Sequence, residues 1–239
     1  MSVKPYYSEK SKKQEVAEMF DNISARYDFL NHFLSIGIDK IWRRKAVKIL
    51  SKSKPKIILD IATGTGDFAI SLKKINPEKI IGIDISKGMI DIGKKKLVQK
   101  KLDNLISFQV ADSENLPFEE GAFDAITVAF GVRNFEHLDI GLVEMLRVLK
   151  TNGQVVILEF SKPKKFPVKQ FFNFYSKKII PIIGRLFSKD KRAYSYLPES
   201  VEVFPEGIEF ELIMKECGFK NVKSKRLSGG IATIYSGNK

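Results

Sequence analysis

The stretch Ile57–Phe68 constrains the fold more than any other part of the chain, because a run of branched apolar residues stops abruptly at a glycine-containing loop. Branched apolar residues favour a strand that is covered on both faces. Gly64 and Gly66 permit backbone conformations and a close ligand approach that a Cβ atom would block. A helix predicted from Asp67 to Lys74 would offer a ligand its unpaired N–H groups and the positive end of its dipole. The stretch therefore predicts a strand, a ligand-binding loop and a helix.

The acid in this stretch carries more information than the glycines. The spacing Gly64-x-Gly66-x-x-Ala69 fits the dinucleotide fingerprint, so the glycines alone do not distinguish NAD from other adenosyl ligands. Asp60 lies just before the turn, where a buried carboxylate needs a charged or hydrogen-bonding partner to offset its desolvation. A cationic ligand would supply that partner. The alternative is a strand, turn and helix without a ligand.

Predicted strands and helices alternate after the loop. The strands are Lys79–Ile85, Leu105–Ala111, Phe123–Phe130 and Gln154–Phe160, and the helices between them are Ser86–Lys101, with Ser86 as N-cap, and Leu138–Lys150. This alternation predicts an α/β fold with a doubly wound, mostly parallel sheet that binds ligands at the carboxyl ends of its strands. The chain closes with a helix and a hairpin. The helix follows Pro205 and runs from Glu206 to Cys217, and the hairpin pairs Phe219–Leu227 with Ile231–Ser236.

Three acids fall at predicted strand ends. Asp60 follows the first strand, Asp84 the second and Asp112 the third. An acid at the second end can accept both ribose hydroxyls of a nucleoside. An acid at the third end can accept an exocyclic adenine amine. The alternative for each acid is a solvated carboxylate that caps a helix.

Two helices precede the first strand. After a polar arm over residues 1–11, one apolar face is made by residues at helical intervals, namely Val16, Met19, Phe20, Ile23 and Tyr27. A second helix, around Asp39–Leu50, carries the only tryptophan, Trp42. We expect an N-terminal helical cap over residues 1–50 and one domain over 51–239, since no Pro/Gly/Ser-rich linker divides the chain.

Composition excludes several classes of site. One cysteine, Cys217, cannot form an internal disulfide, and one cysteine with two histidines gives no metal-binding cluster of the usual spacing. We therefore expect chemistry without a metal.

No apolar run is long enough to span a membrane, so the expected location is cytoplasmic. Net charge +13 suggests nucleic acid, but eight of the 41 Lys and Arg residues are Arg, and base readout more often uses Arg.

The positive charge is concentrated in one segment, residues 162–197. Between Lys162 and Arg192 there are ten basic residues and one acid, Asp190, and aromatic and branched residues are interleaved with them. Such a cationic amphipathic segment fits an insert that covers an apolar substrate and touches an anionic membrane surface. The expected membrane contact is peripheral and transient. A solvated face on an ordinary packed helix pair is the alternative.

Several short motifs together resemble one family over nearly the whole chain. The Asp60 loop resembles the first motif of class I S-adenosylmethionine (SAM) methyltransferases, although Ala62 stands at the first glycine. More specific are Arg26-Tyr27-Asp28, Phe130-Gly131-Val132-Arg133-Asn134, Leu158-Glu159-Phe160-Ser161-Lys162-Pro163 and Tyr194-x-Tyr196-Leu197-Pro198-x-Ser200. With the closing Gly229-Gly230-Ile231-Ala232 they resemble the menaquinone/ubiquinone-biosynthesis C-methyltransferases. The resemblance implies a class I methyltransferase fold, a Rossmann-like seven-stranded sheet ending in an antiparallel hairpin.

The resemblance also implies an activity and a site. It implies SAM-dependent C-methylation of a prenylated quinol ring, either demethylmenaquinol or, as the alternative, a benzoquinol. It implies SAM contacts at Thr63, Asp84, Asp112 and Ser113. Together with the loop residues Asp60, Gly64 and Gly66, these are the expected cofactor-binding residues. Some relatives carry Ser where Ala129 stands here.

The acceptor side is assigned to residues beyond the fourth strand. Methylation of a ring carbon requires ionisation of the neighbouring hydroxyl, and a phenol with a pKa of about 10 needs help at neutral pH. We expect Arg133 to stabilise the phenolate, with orienting groups at Asn134, Tyr27, Tyr194 and Tyr196. His32 and His137 are candidate bases.

Two other functions remain open at this point. An RNA methyltransferase would fit the net charge but not the Phe-rich basic insert, because RNA readers usually display aromatics on a sheet or loop platform. A SAM-binding or membrane-scaffolding protein without turnover would bind SAM but form no product. The expected partners are thus a prenylated quinol and a membrane surface, without nucleic acid.

Overall fold

A single sheet organises the part of the chain that the computed structural model describes, residues 3–35, 37–179 and 191–239. Its strands are β1 (Ile57–Ile61), β2 (Lys79–Asp84), β3 (Ile106–Val110), β4 (Phe123–Ala129), β5 (Leu149–Phe160), β6 (Lys220–Leu227) and β7 (Ala232–Asn238). Their order across the sheet is β3-β2-β1-β4-β5-β7-β6. The first five strands are parallel, and β7 runs antiparallel to both β5 and β6. The predicted parallel core and closing hairpin are confirmed.

Helices cover both faces of the sheet. They are α1 (Lys12–Leu34), α2 (Ile38–Leu50), α3 (Asp67–Leu72), α4 (Lys87–Gln99), α5 (Leu138–Val148), α6 (Val168–Phe174), α7 (Lys191–Val203) and α8 (Ile208–Glu216). One core cluster joins Ile58 of β1 to α2, α3 and α4, and another joins Leu59 to α5 and α8. Successive residues of β1 thus point to opposite, helix-covered faces, which explains why the strand is apolar throughout.

Several element ends differ from the prediction. The strand β5 begins at Leu149 rather than Gln154, because Leu149 already pairs with Phe123. The helix predicted from Glu206 begins at Ile208, since Gly207 ahead of it has a non-helical backbone with φ +66°. The predicted cap at Ser86 is confirmed: its Oγ accepts a hydrogen bond from the Met89 N–H at 3.1 Å.

Residues 3–10, part of the predicted polar arm, contact one carboxylate of α1. The buried Glu15 carboxylate accepts hydrogen bonds from the backbone N–H groups of Tyr6, Tyr7 and Ser8 at 2.7, 3.0 and 2.6 Å. Burial opposes ionisation of Glu15, but these donors together hold its pKa below the usual range. The arm is therefore folded onto the start of α1.

No helix in the described ranges is both long and apolar enough to cross a membrane.

Candidate functional site

A cavity of about 700 Å³, counted with the solvent space at its mouth, opens at the carboxyl ends of β1, β2 and β4. Strand-end and loop residues line it, among them Ala62, Gly64, Asp84, Asp112, Ser113, Ala129 and Asn134. Helix α1 contributes Lys13, Phe20 and Tyr27 from the other side. The switch in strand order at β1, whose neighbours are β2 and β4, is where doubly wound sheets bind ligands.

The two loop glycines have different roles. Gly64 has a φ of +57°, lines the cavity, and donates its N–H to Asp84 Oδ2 at 2.8 Å. Gly66 has a φ of +89°, and a Cβ atom there would overlap the ring of Phe108. Gly66 is not among the residues that line the cavity. The expected close approach of a ligand therefore applies to Gly64, whereas the structure explains Gly66 by packing.

Ala62, at the first glycine of the motif, adopts the backbone conformation that glycine favours. Its φ is +51°, which costs an L-residue about 1–2 kcal/mol. The conformation is accommodated from the neighbouring loop, since a Cβ atom on Gly131 would overlap the Ala62 side chain. Gly131 thus leaves room for the methyl group of Ala62, which stands where the motif has its first glycine.

Asp60 is buried, and hydroxyl groups rather than a cation satisfy it in this structure. Its two oxygens accept hydrogen bonds from Thr63 Oγ1 and Thr127 Oγ1, each at 2.6 Å. Burial raises the pKa of Asp60 to about 6, while these donors oppose the shift. Thr63 was predicted to contact SAM. Its hydroxyl group donates to Asp60, and its backbone N–H donates to Ile83 O.

Asp84 is the predicted acid whose position fits its assignment best. It lines the cavity, and its oxygens accept the N–H groups of Gly64 and Ser86 at 2.8 and 2.9 Å. Burial raises its pKa to about 6, against the effect of these two donors. The carboxylate is held at the end of β2 by both flanking loops.

Asp112 and Ser113 also line the cavity, as expected from the end of β3. Asp112 Oδ1 accepts the Glu114 N–H at 2.9 Å, and Oδ2 forms an ion pair with Lys13 of α1. The Lys13 contact was not foreseen, because no local pattern links residues so far apart.

Arg133 is buried in an ion pair instead of facing the cavity. Its Nη1 lies 2.9 Å from Glu159 Oε1 and also donates to Phe130 O, and its Nε donates to Ser200 Oγ at 3.2 Å. The two side chains are 7% and 0% exposed. Arg133 is not among the residues that line the cavity, so the structure does not support its expected direct contact with a phenolate, and that contact stays a prediction. Sequence reasoning missed Glu159 as its partner, although the Leu158-Glu159-Phe160 motif was a signal.

Asn134 is the acceptor-side residue that does line the cavity. Its Oδ1 accepts a hydrogen bond from the Tyr196 hydroxyl at 3.2 Å. Tyr196 itself is fully buried and absent from the cavity lining, so it acts on the site through Asn134. Burial raises the pKa of both Tyr196 and Tyr27 to about 12, and Tyr27 lines the cavity. The side chain of Tyr194 lies outside the described part of the structure.

The two candidate bases are His137 and His32. His137 is exposed and pairs with Glu114 at 3.0 Å, a contact that raises its pKa. It does not line the cavity, so the interpretation of His137 as a base is not supported by geometry. The side chain of His32 is outside the described residues.

Helix α1 is tied over the cavity at several points. Asp21 Oδ1 accepts hydrogen bonds from Ser86 Oγ and the Gly88 N–H, at 2.6 and 2.8 Å. Asp28 forms an ion pair with Lys96 of α4 at 2.6 Å and accepts a hydrogen bond from Thr65. The α1 helix therefore bridges the glycine loop and the start of α4.

The start of α1 also braces the loop that carries Asn134. Lys12 Nζ donates to the backbone oxygens of Arg133 and Phe135 at 3.1 and 2.7 Å. Burial, helped by the nearby Arg133 charge, lowers the pKa of Lys12 to about 8.

A smaller cavity, about 340 Å³, lies on the other side of the glycine loop. It shares Tyr27, Ala62, Gly64 and Ala129 with the larger cavity. Its other lining includes Asp60, Thr63 and Arg43, a residue of α2 that sequence reasoning did not single out. Within the ranges that the structure describes, no three His, Cys, Asp or Glu side chains are grouped as metal ligands would be.

Sequence comparison covers nearly the whole chain. A model of the ubiE/COQ5 methyltransferase family matches residues 8–239. A demethylmenaquinone methyltransferase of Bacteroides fragilis is 50% identical over 238 residues, which cover 99% of this chain and 97% of that protein. A ubiquinone/menaquinone biosynthesis C-methyltransferase UbiE of Geotalea uraniireducens is 49% identical, with 95% of this chain and 97% of that protein covered.

Solved structures with lower identity share the fold. A SAM-dependent methyltransferase from Thermotoga maritima, described as a possible histamine N-methyltransferase, has a TM-score of 0.66 at 19% identity, covering 93% of this chain and 99% of that one. Phosphoethanolamine N-methyltransferase 2 of Haemonchus contortus in complex with SAM has a TM-score of 0.60 at 16% identity, covering 82% and 52%. The fold is that of the class I SAM-dependent methyltransferases.

Proposed function

The chain belongs to the ubiE/COQ5 methyltransferase family, and we propose that it methylates a ring carbon of demethylmenaquinol, with SAM as methyl donor, to form menaquinol. The observation that carries this proposal is the 50% identity, over 99% of the chain, to a demethylmenaquinone methyltransferase. A benzoquinol is the second candidate acceptor, favoured by the relatives described as ubiquinone/menaquinone C-methyltransferases.

The residues around the cavity fit the parts of SAM. Asp84 presents a carboxylate at the end of β2, where a ribose would offer its two hydroxyls. Asp112 and Ser113 stand at the end of β3, where an adenine amine needs an acceptor. Gly64 keeps the loop backbone open, since no atom lies within 4 Å of where its Cβ would be. We assign these residues to the nucleoside and Asp60 to the neighbourhood of the cationic amino-acid end.

The acceptor side follows from what the buried groups can do at neutral pH. SAM would supply a methyl group to a nucleophilic ring carbon: a C–C bond forms as the C–S bond breaks, S-adenosylhomocysteine leaves, and the ring carbon then gives up its proton to solvent. Tyr27 stays protonated, because its pKa is raised to about 12, and so can donate a hydrogen bond to a quinol oxygen. Asn134, held by Tyr196, presents its amide to the same cavity. Arg133 positions this loop through Phe130 and Glu159 rather than touching the ring itself.

The N-terminal residues 1–50 serve in this proposal as a cap over the site. The support is the set of contacts from Asp21, Asp28, Lys12 and Lys13 on α1 to the loops around the cavity. A ligand enclosed by α1 is shielded from water, which strengthens the electrostatic interactions that act on it.

The segment 162–197 serves as the approach for a membrane-borne acceptor. Phe166, Phe171 and Phe174 are 80, 65 and 60% exposed, unusually high values for phenylalanine. Exposed Lys164, Lys165 and Lys169 lie beside them in sequence. Apolar side chains flanked by lysines suit reversible contact with an anionic lipid surface, where a prenylated quinol resides. Residues 180–190 of this segment lie outside the described part.

The proposed activity is tested by parallel incubations with labelled SAM. The acceptors are demethylmenaquinol, a demethylated benzoquinol and bulk RNA, each in detergent or buffer as its solubility requires. We expect label in the naphthoquinol product. Label confined to RNA would overturn the proposal, label confined to the benzoquinol would replace the acceptor, and SAM binding without any product would indicate a binding protein.

A further inference from the structure

One buried cation close to the glycine loop has no part in the function proposed so far. Arg43, in the middle of α2, is 7% exposed and lines the smaller cavity together with Asp60, Thr63 and Gly64. Its guanidinium carbon lies 5.7 Å from the centre of the Phe130 ring. Arg43 therefore lies at the glycine loop, with its guanidinium over the Phe130 ring.

The guanidinium is only partly satisfied. Its Nη1 is paired with Asp39, which is 1% exposed, but its buried Nε has no hydrogen-bond partner. It is the single buried side-chain nitrogen or oxygen in the described residues that lacks one. A buried donor without an acceptor costs about 1–3 kcal/mol, so its presence beside a cavity calls for a ligand that supplies the acceptor.

The position of Arg43 identifies the chemistry of that ligand. The two cavities meet at Tyr27, Ala62, Gly64 and Ala129, so a molecule with its nucleoside against Asp84 continues past the loop towards Arg43. Two carboxylates and one guanidinium line the smaller cavity. Asp67 already forms an ion pair with Lys96 at 2.9 Å, so the carboxylate and guanidinium considered for a ligand are those of Asp60 and Arg43. This pair matches the ammonium and the carboxylate of an α-amino acid, and a carboxylate can take two parallel hydrogen bonds from a guanidinium.

We propose that Arg43 binds the α-carboxylate of the amino-acid part of SAM. The inference rests on the proposed use of SAM but not on the identity of the acceptor. Arg43 is then a cofactor-binding residue contributed by the helix that precedes β1, outside the strand-end positions that the sequence pattern indicates.

The test is calorimetric binding of two probes, S-adenosylhomocysteine and its decarboxylated analogue, in the absence of any acceptor. Because Arg43→Met alone would remove a cation that is paired with the buried Asp39, the variant measured is Asp39→Asn/Arg43→Met. Its affinity for S-adenosylhomocysteine should fall by about ten- to a hundredfold, the scale of a lost charge-assisted hydrogen bond. Its affinity for the decarboxylated analogue should stay within about twofold, because that probe has no carboxylate to lose.

Matched variants separate this role from a structural one. Arg44→Met, on the exposed face of the same helix, should change neither affinity. Asp39→Asn alone is the reference for the double variant, so that the difference between the two reports the loss of Arg43. Arg43→Lys keeps a cation for Asp39 but loses the planar fork, so it should weaken only S-adenosylhomocysteine binding. This variant carries the test if the double variant does not fold by circular dichroism.

Two outcomes would overturn the inference: an unchanged affinity for S-adenosylhomocysteine, or an equal loss for both probes. Wild-type protein that bound neither probe would overturn the use of SAM as well. Probe binding with the expected pattern but no methylation of demethylmenaquinol would leave Arg43 assigned and overturn only the acceptor.

Discussion

At the scale of single residues, the nucleoside end of the site depends on Asp84. Its carboxylate is held between the N–H groups of Gly64 and Ser86 and lines the larger cavity. Asp84→Ala should weaken SAM binding by about 1–3 kcal/mol, the scale for losing hydrogen bonds to a buried partner. Isothermal calorimetry measures the SAM affinity. The control is Asp91→Ala, which removes one member of the exposed Lys87–Asp91 ion pair. An affinity equal to that of the control would remove Asp84 from the site.

Asp60 makes stability depend on pH. Burial raises its pKa from 3.8 to about 6, so the folded protein holds this proton more tightly than the unfolded chain does. As pH rises from about 4 to about 6 the unfolded state loses the proton first, and this residue's contribution to the free energy of unfolding falls by roughly 3 kcal/mol. Asp60→Asn lacks the titration, so its stability relative to wild type should rise across that window.

Urea unfolding of wild type and Asp60→Asn at a series of pH values measures the difference between their free energies of unfolding. Acids with a lowered pKa, such as Glu15 and Asp124, change stability with pH in the opposite direction. Their contributions are the same in both proteins and cancel in the difference. Asp103→Asn, at an exposed position, is the control for the loss of one carboxylate charge. A stability difference that does not change with pH would mean that Asp60 titrates normally.

At the scale of elements, the Arg133–Glu159 ion pair joins the loop after β4 to the end of β5 and, through Ser200, to α7. Arg133→Ala leaves Glu159 buried without a cation and should lower the free energy of unfolding by about 3–5 kcal/mol. Glu159→Gln in the Arg133→Ala background should recover part of the loss. A double-mutant cycle by chemical denaturation measures the coupling, and additive effects would mean that the two charges do not stabilise each other.

The same variant also tests the side of the site that Arg133 serves. Because Arg133 holds the loop of Asn134, Arg133→Ala should lower turnover while SAM affinity, measured under conditions where the variant is folded, stays nearly intact. A loss of SAM affinity as large as the loss of turnover would assign Arg133 to the cofactor instead.

The cap formed by α1 should control release of the cofactor. Asp21 and Asp28 tie it to α4 and to the glycine loop. Asp21→Asn with Asp28→Asn should weaken this closure by one to two kcal/mol and speed SAM dissociation roughly five- to thirtyfold. Stopped-flow displacement of bound SAM measures the rate. Lys87→Gln, which breaks an exposed pair on α4, should leave the rate unchanged, and equal rates in both variants would argue against a cap.

At the scale of the whole molecule, charge is distributed unevenly. Of the net +13, +9 falls between Lys162 and Arg192, beside the exposed Phe166, Phe171 and Phe174. Lysines near an anionic surface contribute about 1 kcal/mol each and are screened within a Debye length. The protein should therefore bind anionic vesicles at low salt and leave them at high salt.

Cosedimentation with anionic and neutral vesicles checks this, using a variant with Gln at Lys164, Lys165, Lys177 and Lys178. The matched control carries Gln at Lys94, Lys95, Lys100 and Lys101, which removes the same charge from the exposed face and end of α4. Only the first variant should lose binding. Equal binding of the two variants would mean that net charge, rather than this segment, attracts the protein to lipid.

What the sequence by itself determined was the order of elements and the edge at which the site lies. Apolar periodicity is a local property, and parallel strands bring their carboxyl ends to one edge of a sheet. The sequence alone therefore predicted that Asp84, Asp112 and Ser113 lie at that edge. The cap at Ser86 and the hairpin after Leu227 were predictable for the same reason, since turn and capping chemistry involves only neighbouring residues.

The tertiary structure alone decided which distant side chains satisfy one another. Arg133 was expected at the acceptor and is paired with Glu159, Asp60 was expected to meet a cation and is bonded to Thr127, and Arg43 was not singled out at all. Partners of buried polar groups come from segments far apart in sequence, and desolvation makes each group bind whatever donor or acceptor the packing brings within reach. No local pattern encodes that choice, because it depends on how the helices settle on the sheet.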